Sequence, residues 1–272
     1  MKPELVLVLF DEGAPVKPIK ISCWNVNGIR AVEKKGFLSW LAQESPDILC
    51  LQETKAQPGQ ISPEIEEPSG YQAYWNFPER RGYSGVVTFT REKPIEVENG
   101  FGIERFDVEG RVITARYRHF SLFNVYFPNG KMSAERLKYK MDFYDAFLDF
   151  VGPLMDKGEK LVVCGDFNTA HKEIDLARPK ENEDVSGFLP IERAWMDEFV
   201  ARGFVDTFRH FTKEPDHYTW WSPRTGARGR NIGWRLDYIF VSGNLLDSLA
   251  QASIRSEVMG SDHCPVEIEL SI

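Results

Sequence analysis

Paired cysteines, a membrane-length apolar run, a Pro/Ser-rich linker and an excess of basic charge are all missing from this 272-residue chain. Each absence removes a class of function. The four cysteines, Cys23, Cys50, Cys164 and Cys264, lie far apart without metal-ligand spacing. Free, buried thiols in a reducing compartment fit better than a disulfide framework, so the expected location is cytoplasmic, or nuclear if the source is eukaryotic. No run approaches the roughly 20 apolar residues of a membrane span, and no membrane partner is expected. Leu5 to Phe10 is apolar but short, and Asp11 and Glu12 follow it. It reads as an extra edge strand or a loosely held tail rather than a signal peptide. Residues 1–17 are an N-terminal extension with no assigned function, and 18–272 read as one domain. A net charge of -8 argues against a protein that coats nucleic acid through bulk charge. It is compatible with a nuclease whose acidic metal site coexists with one basic face.

What is present is a series of apolar, strand-like runs: Ile19 to Val26, Asp47 to Leu51, Val86 to Thr90, Val112 to Tyr117, Ser121 to Phe127, Leu161 to Cys164, Arg235 to Val241 and Val266 to Leu270. Several alternate, with Ile19, Ile21 and Cys23 on one side. Helical spacing appears at Phe37, Leu38 and Leu41. It returns over Ser133 to Met155, where Leu137, Met141, Tyr144, Phe147 and Leu148 form a stripe and Ser133 can cap the N-terminus. A third helix is predicted from Pro190 to Arg202, ending at Gly203. Mixed strands with intermittent helices suggest an α/β fold of two packed sheets covered by helices.

Polar clusters end the apolar runs. Glu53 follows Ile48 to Gln52, either as an exposed strand end or as a ligand for Mg²⁺, which takes one or two carboxylates, waters and substrate phosphate. Asn27, two residues after Asn25 and on the same face if the chain stays extended, can add a neutral oxygen. Zinc is disfavoured, because no His/Cys ligand spacing occurs. Asp166 and Asn168 follow Leu161 to Gly165, either as an Asx-turn or as a general base with a carboxamide beside it. His263 stands apart from the other four histidines because Asp237, a charge entering an apolar strand, could pair with it. An imidazolium so held could neutralise transition-state phosphate charge. Tyr126 and, in the following turn, Asn129 could reach the same crevice. From Pro223 to Arg235 there are four arginines, Arg224, Arg228, Arg230 and Arg235, and no acid. With Trp220, Trp221 and Trp234 nearby, the segment reads as a nucleic-acid-binding loop more than as a solvated one.

With these clusters assembled, the chain resembles the exonuclease III family of apurinic/apyrimidinic endonucleases, within the endonuclease/exonuclease/phosphatase superfamily. The resemblance runs from about Ile19 to the C-terminus. It is strengthened by Gly82-Tyr83-Ser84-Gly85-Val86, His171-Lys172-Glu173-Ile174-Asp175 and, most selectively, Gly233-Trp234-Arg235-Leu236-Asp237-Tyr238. It implies a four-layer α/β sandwich and hydrolysis of DNA phosphodiesters with Mg²⁺, for which Mn²⁺ could substitute. The implied substrate is double-stranded DNA with abasic or 3′-blocked sites. Cutting on the 5′ side of an abasic site is implied, with 3′→5′ exonuclease and 3′-end-cleaning activity, in a monomer. By the same resemblance Glu53, Asn27 and Asp262 hold metal, Asp166 activates water, and Asn25, Asn168, Tyr126 and His263 surround the phosphate while Asp237 orients His263. Trp220, Trp234 and Leu236 match an apolar pocket for a flipped abasic deoxyribose. Asn27 stands where some members carry aspartate, and Met132 where some carry arginine. The rival expectations are a phosphoinositide phosphatase, sphingomyelinase or general DNase of the same superfamily, and a binding protein with a degenerate site.

Overall fold

The structure, a computed structural model, describes residues 18–272; the apolar run at Leu5 to Phe10 lies outside the described residues. In chain order the strands are β1 (Ile19–Asn25), β2 (Ile48–Gln52), β3 (Gln72–Asn76), β4 (Val86–Thr90), β5 (Glu96–Asn99), β6 (Val112–Arg116) and β7 (Ser121–Tyr126). They continue with β8 (Leu161–Asp166), β9 (Phe204–Asp206), β10 (Trp220–Trp221), β11 (Gly233–Trp234), β12 (Asp237–Ser242), β13 (Leu249–Ile254) and β14 (Val266–Leu270). One six-stranded sheet runs β13-β14-β1-β2-β4-β3, a second runs β5-β6-β7-β8-β12-β9, and β10 and β11 form a short ribbon. Each large sheet has one parallel pair at its centre, β1 with β2 and β7 with β8, flanked by antiparallel neighbours.

Side-chain alternation creates the layers. Ile21 and Cys23, Ile48 and Cys50, Val162 and Cys164, and Ile239 and Val241 all meet in the core between the sheets. The intervening residues face outward. Trp24, Leu49 and Leu51 pack with Phe37 and Leu41 of the helix Phe37–Glu44. Val163, Tyr238 and Phe240 pack with Phe143, Phe147 and Phe199 of the helices Ala134–Asp156 and Pro190–Ala201. A period of two, apolar on both sides, is what a strand covered on both faces requires. The result is helix, sheet, sheet, helix.

The long helix begins at Ser133, whose side chain accepts from the backbone N–H of Arg136, as expected of an N-cap. Its stripe differs from the predicted one. Leu137 and Met141 are only half-buried, while Phe143 and Val151 are fully covered. Lys140 is completely buried too, with Nζ donating to Glu192 Oε1 at 2.6 Å, Thr169 Oγ1 at 2.8 Å and the Asn168 carbonyl at 2.8 Å.

The predicted run Arg235 to Val241 is corrected: Arg235 precedes β12 and turns inward. Its guanidinium donates to Asp175 and Asp206, and this alternation leaves Trp234 and Leu236 on the opposite side, with Phe188 and Leu176.

Candidate active site

All the polar clusters lie at one end of the central strands. β1 and β2 are parallel with Asn25 opposite Gln52, and Tyr126 on β7 is opposite Asp166 on β8. Asp237 opens β12 directly across from Asp166. Gly165 permits this end of β8: a Cβ there would lie 1.7 Å from the Val125 carbonyl oxygen, so only glycine lets the two backbones approach.

Asn25 and Asp166 each turn the chain. The backbone N–H of Asn27 donates to Asn25 Oδ1 at 3.0 Å, and that of Asn168 to Asp166 Oδ1 at 2.8 Å. Both are Asx-turns, with Asn27 at φ 48° and Asn168 at φ 52°. The expectation that each pair shares a face of an extended segment is therefore overturned, because left-handed backbone ends the extension. Asn27 turns away to donate to Asp262 Oδ1 at 2.9 Å. Asn168 folds back, donating to the Phe127 carbonyl at 2.9 Å and Asp166 Oδ2 at 3.3 Å. Its Oδ1 accepts from Asn129 at 2.8 Å, so Asn129 braces Asn168.

Asn25 is fully buried and connects the two halves, its Nδ2 donating to Asp166 Oδ2 at 2.8 Å and Glu53 Oε1 at 3.0 Å. Glu53 Oε1 also accepts from the Tyr126 hydroxyl at 2.6 Å. Tyr126, which the resemblance places around the phosphate, gives its proton to Glu53 here.

Lys55, given no role from the sequence, places Nζ 2.6 Å from Glu53 Oε2 and 2.5 Å from Asn27 Oδ1. Burial opposes ionisation of Glu53, but the Lys55 ammonium together with the hydrogen bonds from Tyr126 and Asn25 outweighs it and holds the carboxyl below its usual range. Two hard oxygens thus converge on one cationic point. That donor set suits a hard cation such as Mg²⁺. Asp262 steers Asn27 and accepts from Trp220 Nε1 at 3.0 Å.

His263 Nδ1 lies 2.8 Å from Asp237 Oδ2, and Nε2 lies 4.0 Å from Asp166 Oδ2. Thr219, also unassigned from the sequence, donates to the same Asp237 oxygen at 2.6 Å. Burial disfavours the imidazolium, but Asp237 and Asp166 outweigh it and raise the pKa to about 10. Asp166 is raised to about 7, first by burial and then by the Asp237 charge. Asp166, Asp237 and His263 also form a cluster that could hold a metal ion. A metal ion there requires a neutral His263, because a protonated imidazole has no lone pair to offer.

Trp220 and Trp234 are paired across the β10–β11 ribbon and gather with Leu236, Leu176 and Phe188 in one apolar cluster. A bridge from Trp220 to His263 sets that cluster beside the acid–base pair. Arg228 points elsewhere. It donates to the carbonyls of Ser261, Ser256 and Val258 at 3.1, 2.9 and 2.6 Å, and stacks over Trp221. Arg228 thus anchors its own loop, while Arg230 is exposed.

The family model for the endonuclease/exonuclease/phosphatase family matches residues 23–263. The chain belongs to that family. An exodeoxyribonuclease of Bacillus subtilis (strain 168) is 46% identical over 256 residues, covering 93% of this chain and all of that one. The DNA repair nuclease APEX1 of Danio rerio is 42% identical over 259 residues, covering 93% of this chain and 83% of that one. Among solved structures, a 3′ phosphatase, NExo, from Neisseria, bound to a product DNA hairpin, superposes with a TM-score of 0.86 at 30% identity. It covers 93% of this chain and all of the other. Within the endonuclease/exonuclease/phosphatase family, the chain is an enzyme of the exodeoxyribonuclease and AP endonuclease branch. Among its described residues, no helix is long and apolar enough to cross a membrane.

Proposed function

We propose that this enzyme hydrolyses the phosphodiester on the 5′ side of abasic sites in double-stranded DNA, with Mg²⁺ held by Glu53 and Asn27. We further assign it 3′→5′ exonuclease activity and removal of 3′-blocking groups. The observation that carries this reading is Asn25, one carboxamide tying the proposed base Asp166 to the proposed cation ligand Glu53, beside an apolar cluster of Trp220, Trp234 and Leu236. Asp166, ionised above about pH 7, takes a proton from water as its oxygen attacks phosphorus; the P–O3′ bond breaks, and the departing oxygen takes a proton from solvent to become a 3′-hydroxyl. His263, charged and held by Asp237, stabilises the negative charge on the phosphate oxygens. Bound Mg²⁺ adds Lewis-acid neutralisation of the same phosphate. The pocket admits a sugar without its base, and missing-base sites unstack at low energetic cost.

The test is incision of a labelled duplex carrying one tetrahydrofuran abasic analogue, with Mg²⁺, Mn²⁺ or EDTA, beside undamaged and 3′-phosphate duplexes. Metal-dependent cutting immediately 5′ to the analogue supports the reading. Cleavage of inositol or lipid phosphates with no action on either damaged DNA would replace it.

A further inference from the structure

Beside the apolar cluster stands a group that the proposed hydrolysis does not use. Lys131 places Nζ 5.0 Å from the ring centroid of Trp220 and 5.3 Å from that of Trp234. Its amine therefore stands over both indoles of the cluster. Its backbone is fixed. The Lys131 N–H donates to Asn129 Oδ1 at 2.8 Å, and Asn129 in turn holds the Asn168 side chain. The preceding Gly130 is wedged against Leu137 and Ser186, where a Cβ would lie 2.6 Å from Ser186 Oγ. Lys131 is exposed, so a ligand can reach it.

We propose that Lys131 is a nucleophile that condenses with the C1′ aldehyde of a ring-opened abasic deoxyribose, giving the enzyme a lyase activity that needs no metal. The inference rests on the abasic reading above. A lysine desolvated against apolar walls is the usual form of an imine-forming amine. Burial here holds the ammonium below its ordinary pKa, against the opposing charges of Asp166 and Glu192.

The steps balance without an oxidant or reductant. The neutral amine adds to C1′, and the carbinolamine loses water to give a protonated imine. Solvent takes the C2′ proton. The electron pair left behind forms the C2′–C3′ double bond as the 3′-phosphate departs with the C3′–O pair. Water then hydrolyses the imine, releasing Lys131 and an unsaturated aldehyde. The nick lies 3′ to the lesion, opposite to the hydrolytic cut.

The experiment uses the full chain in EDTA with a duplex containing one natural, aldehyde-bearing abasic site, and adds sodium borohydride to reduce any imine to a stable amine. A covalent protein–DNA adduct is expected, mapping by mass spectrometry to the peptide carrying Lys131. It should be absent with the tetrahydrofuran analogue, which has no aldehyde. Lys131→Arg keeps the cation over the indoles but removes the nucleophile, and should lose the adduct while keeping the wild-type thermal midpoint. Adduct on another lysine, undiminished adduct in Lys131→Arg, or no adduct from an enzyme that incises the tetrahydrofuran duplex with Mg²⁺ would each overturn the lyase. Failure to bind or incise either abasic duplex would overturn the abasic reading, and the lyase with it.

Discussion

The turns that close β1 and β8 share one backbone device and carry opposite chemistry. Each is an Asx-turn whose third residue is a left-handed asparagine. The first begins with a carboxamide, Asn25, and the second with a carboxylate, Asp166. That single chemical difference divides the site. Asn25 has two hydrogens to give and gives one to each carboxylate, Glu53 and Asp166. Asp166 accepts instead, and its charge is offset across the sheet by the His263 imidazolium 4.0 Å away. The Glu53 half is offset by the Lys55 ammonium, which also meets Asn27. The lesson is that backbone geometry presents the side chains, while the identity of one atom, N or O, sets whether the first residue of a turn donates to the neighbouring carboxylates or accepts.

Making the second turn like the first should have the largest effect. Asp166→Asn removes the base, and kcat for incision should fall by on the order of 10²–10⁴-fold with DNA affinity retained. Single-turnover incision and fluorescence anisotropy measure the two separately. Unchanged turnover would remove Asp166 from its role.

The reverse exchange, Asn25→Asp, sets a third carboxylate against two others and deletes both donated hydrogen bonds. Loss of such supporting contacts typically costs about 10–100-fold in metal affinity or activity. A Mg²⁺ titration of the incision rate reads it. If half-saturating Mg²⁺ and kcat both hold, Asn25 does not couple the halves.

Those two exchanges exploit what the sequence made visible, namely polar residues placed straight after buried runs. The central strands β1, β2, β4, β6, β7, β8, β12 and β14 were all legible, because each is covered on both faces and reads as continuous or alternating apolar sequence. The four strands not anticipated in the large sheets, β3, β5, β9 and β13, are the four edges. An edge strand pairs on one side only and needs little apolar character; Glu96–Asn99 exposes three of its four residues. In the site, carboxylates and the imidazole were found by type and position. Lys55, Lys131, Thr219 and the inward Arg228 were not, since their partners lie on other elements and no local pattern marks them. The Asx-turn at Asp166 is present and leaves Oδ2 to accept from Asn25.

The pH dependence sharpens the charge contrast. If Asp166 must be ionised and His263 protonated, kcat/KM rises with pH through about 7 and falls through about 10. Asp237 raises both groups, so Asp237→Asn should move both limbs to lower pH, the alkaline limb especially. A stationary alkaline limb would mean that His263 does not titrate in the rate. Stability carries the same sign for His263. Its folded pKa is raised, so its contribution is complete below the unfolded value of about 6.5 and is lost as pH rises through about 10.

The smallest effect tests whether the two turns can be disturbed separately. Arg228 holds the carbonyls of Ser256, Val258 and Ser261, and the Ser261 hydroxyl donates to the Asn25 carbonyl at 2.9 Å. Arg228→Ala should therefore loosen the loop that closes over the first turn, lowering stability by about 1.5–3 kcal/mol, the range for hydrogen bonds from a charged group. A phosphate contact would add about 0.9 to the slope of log affinity against log salt; an anchor adds nothing, so the slope of DNA binding should stay where it is. The Mg²⁺ requirement should rise, because the loop also carries Asp262 beside Asn27, while the acid limb set by Asp166 stays in place because the second turn is untouched. A flattened salt slope would return Arg228 to the DNA, and a displaced acid limb would show that the halves answer to one loop.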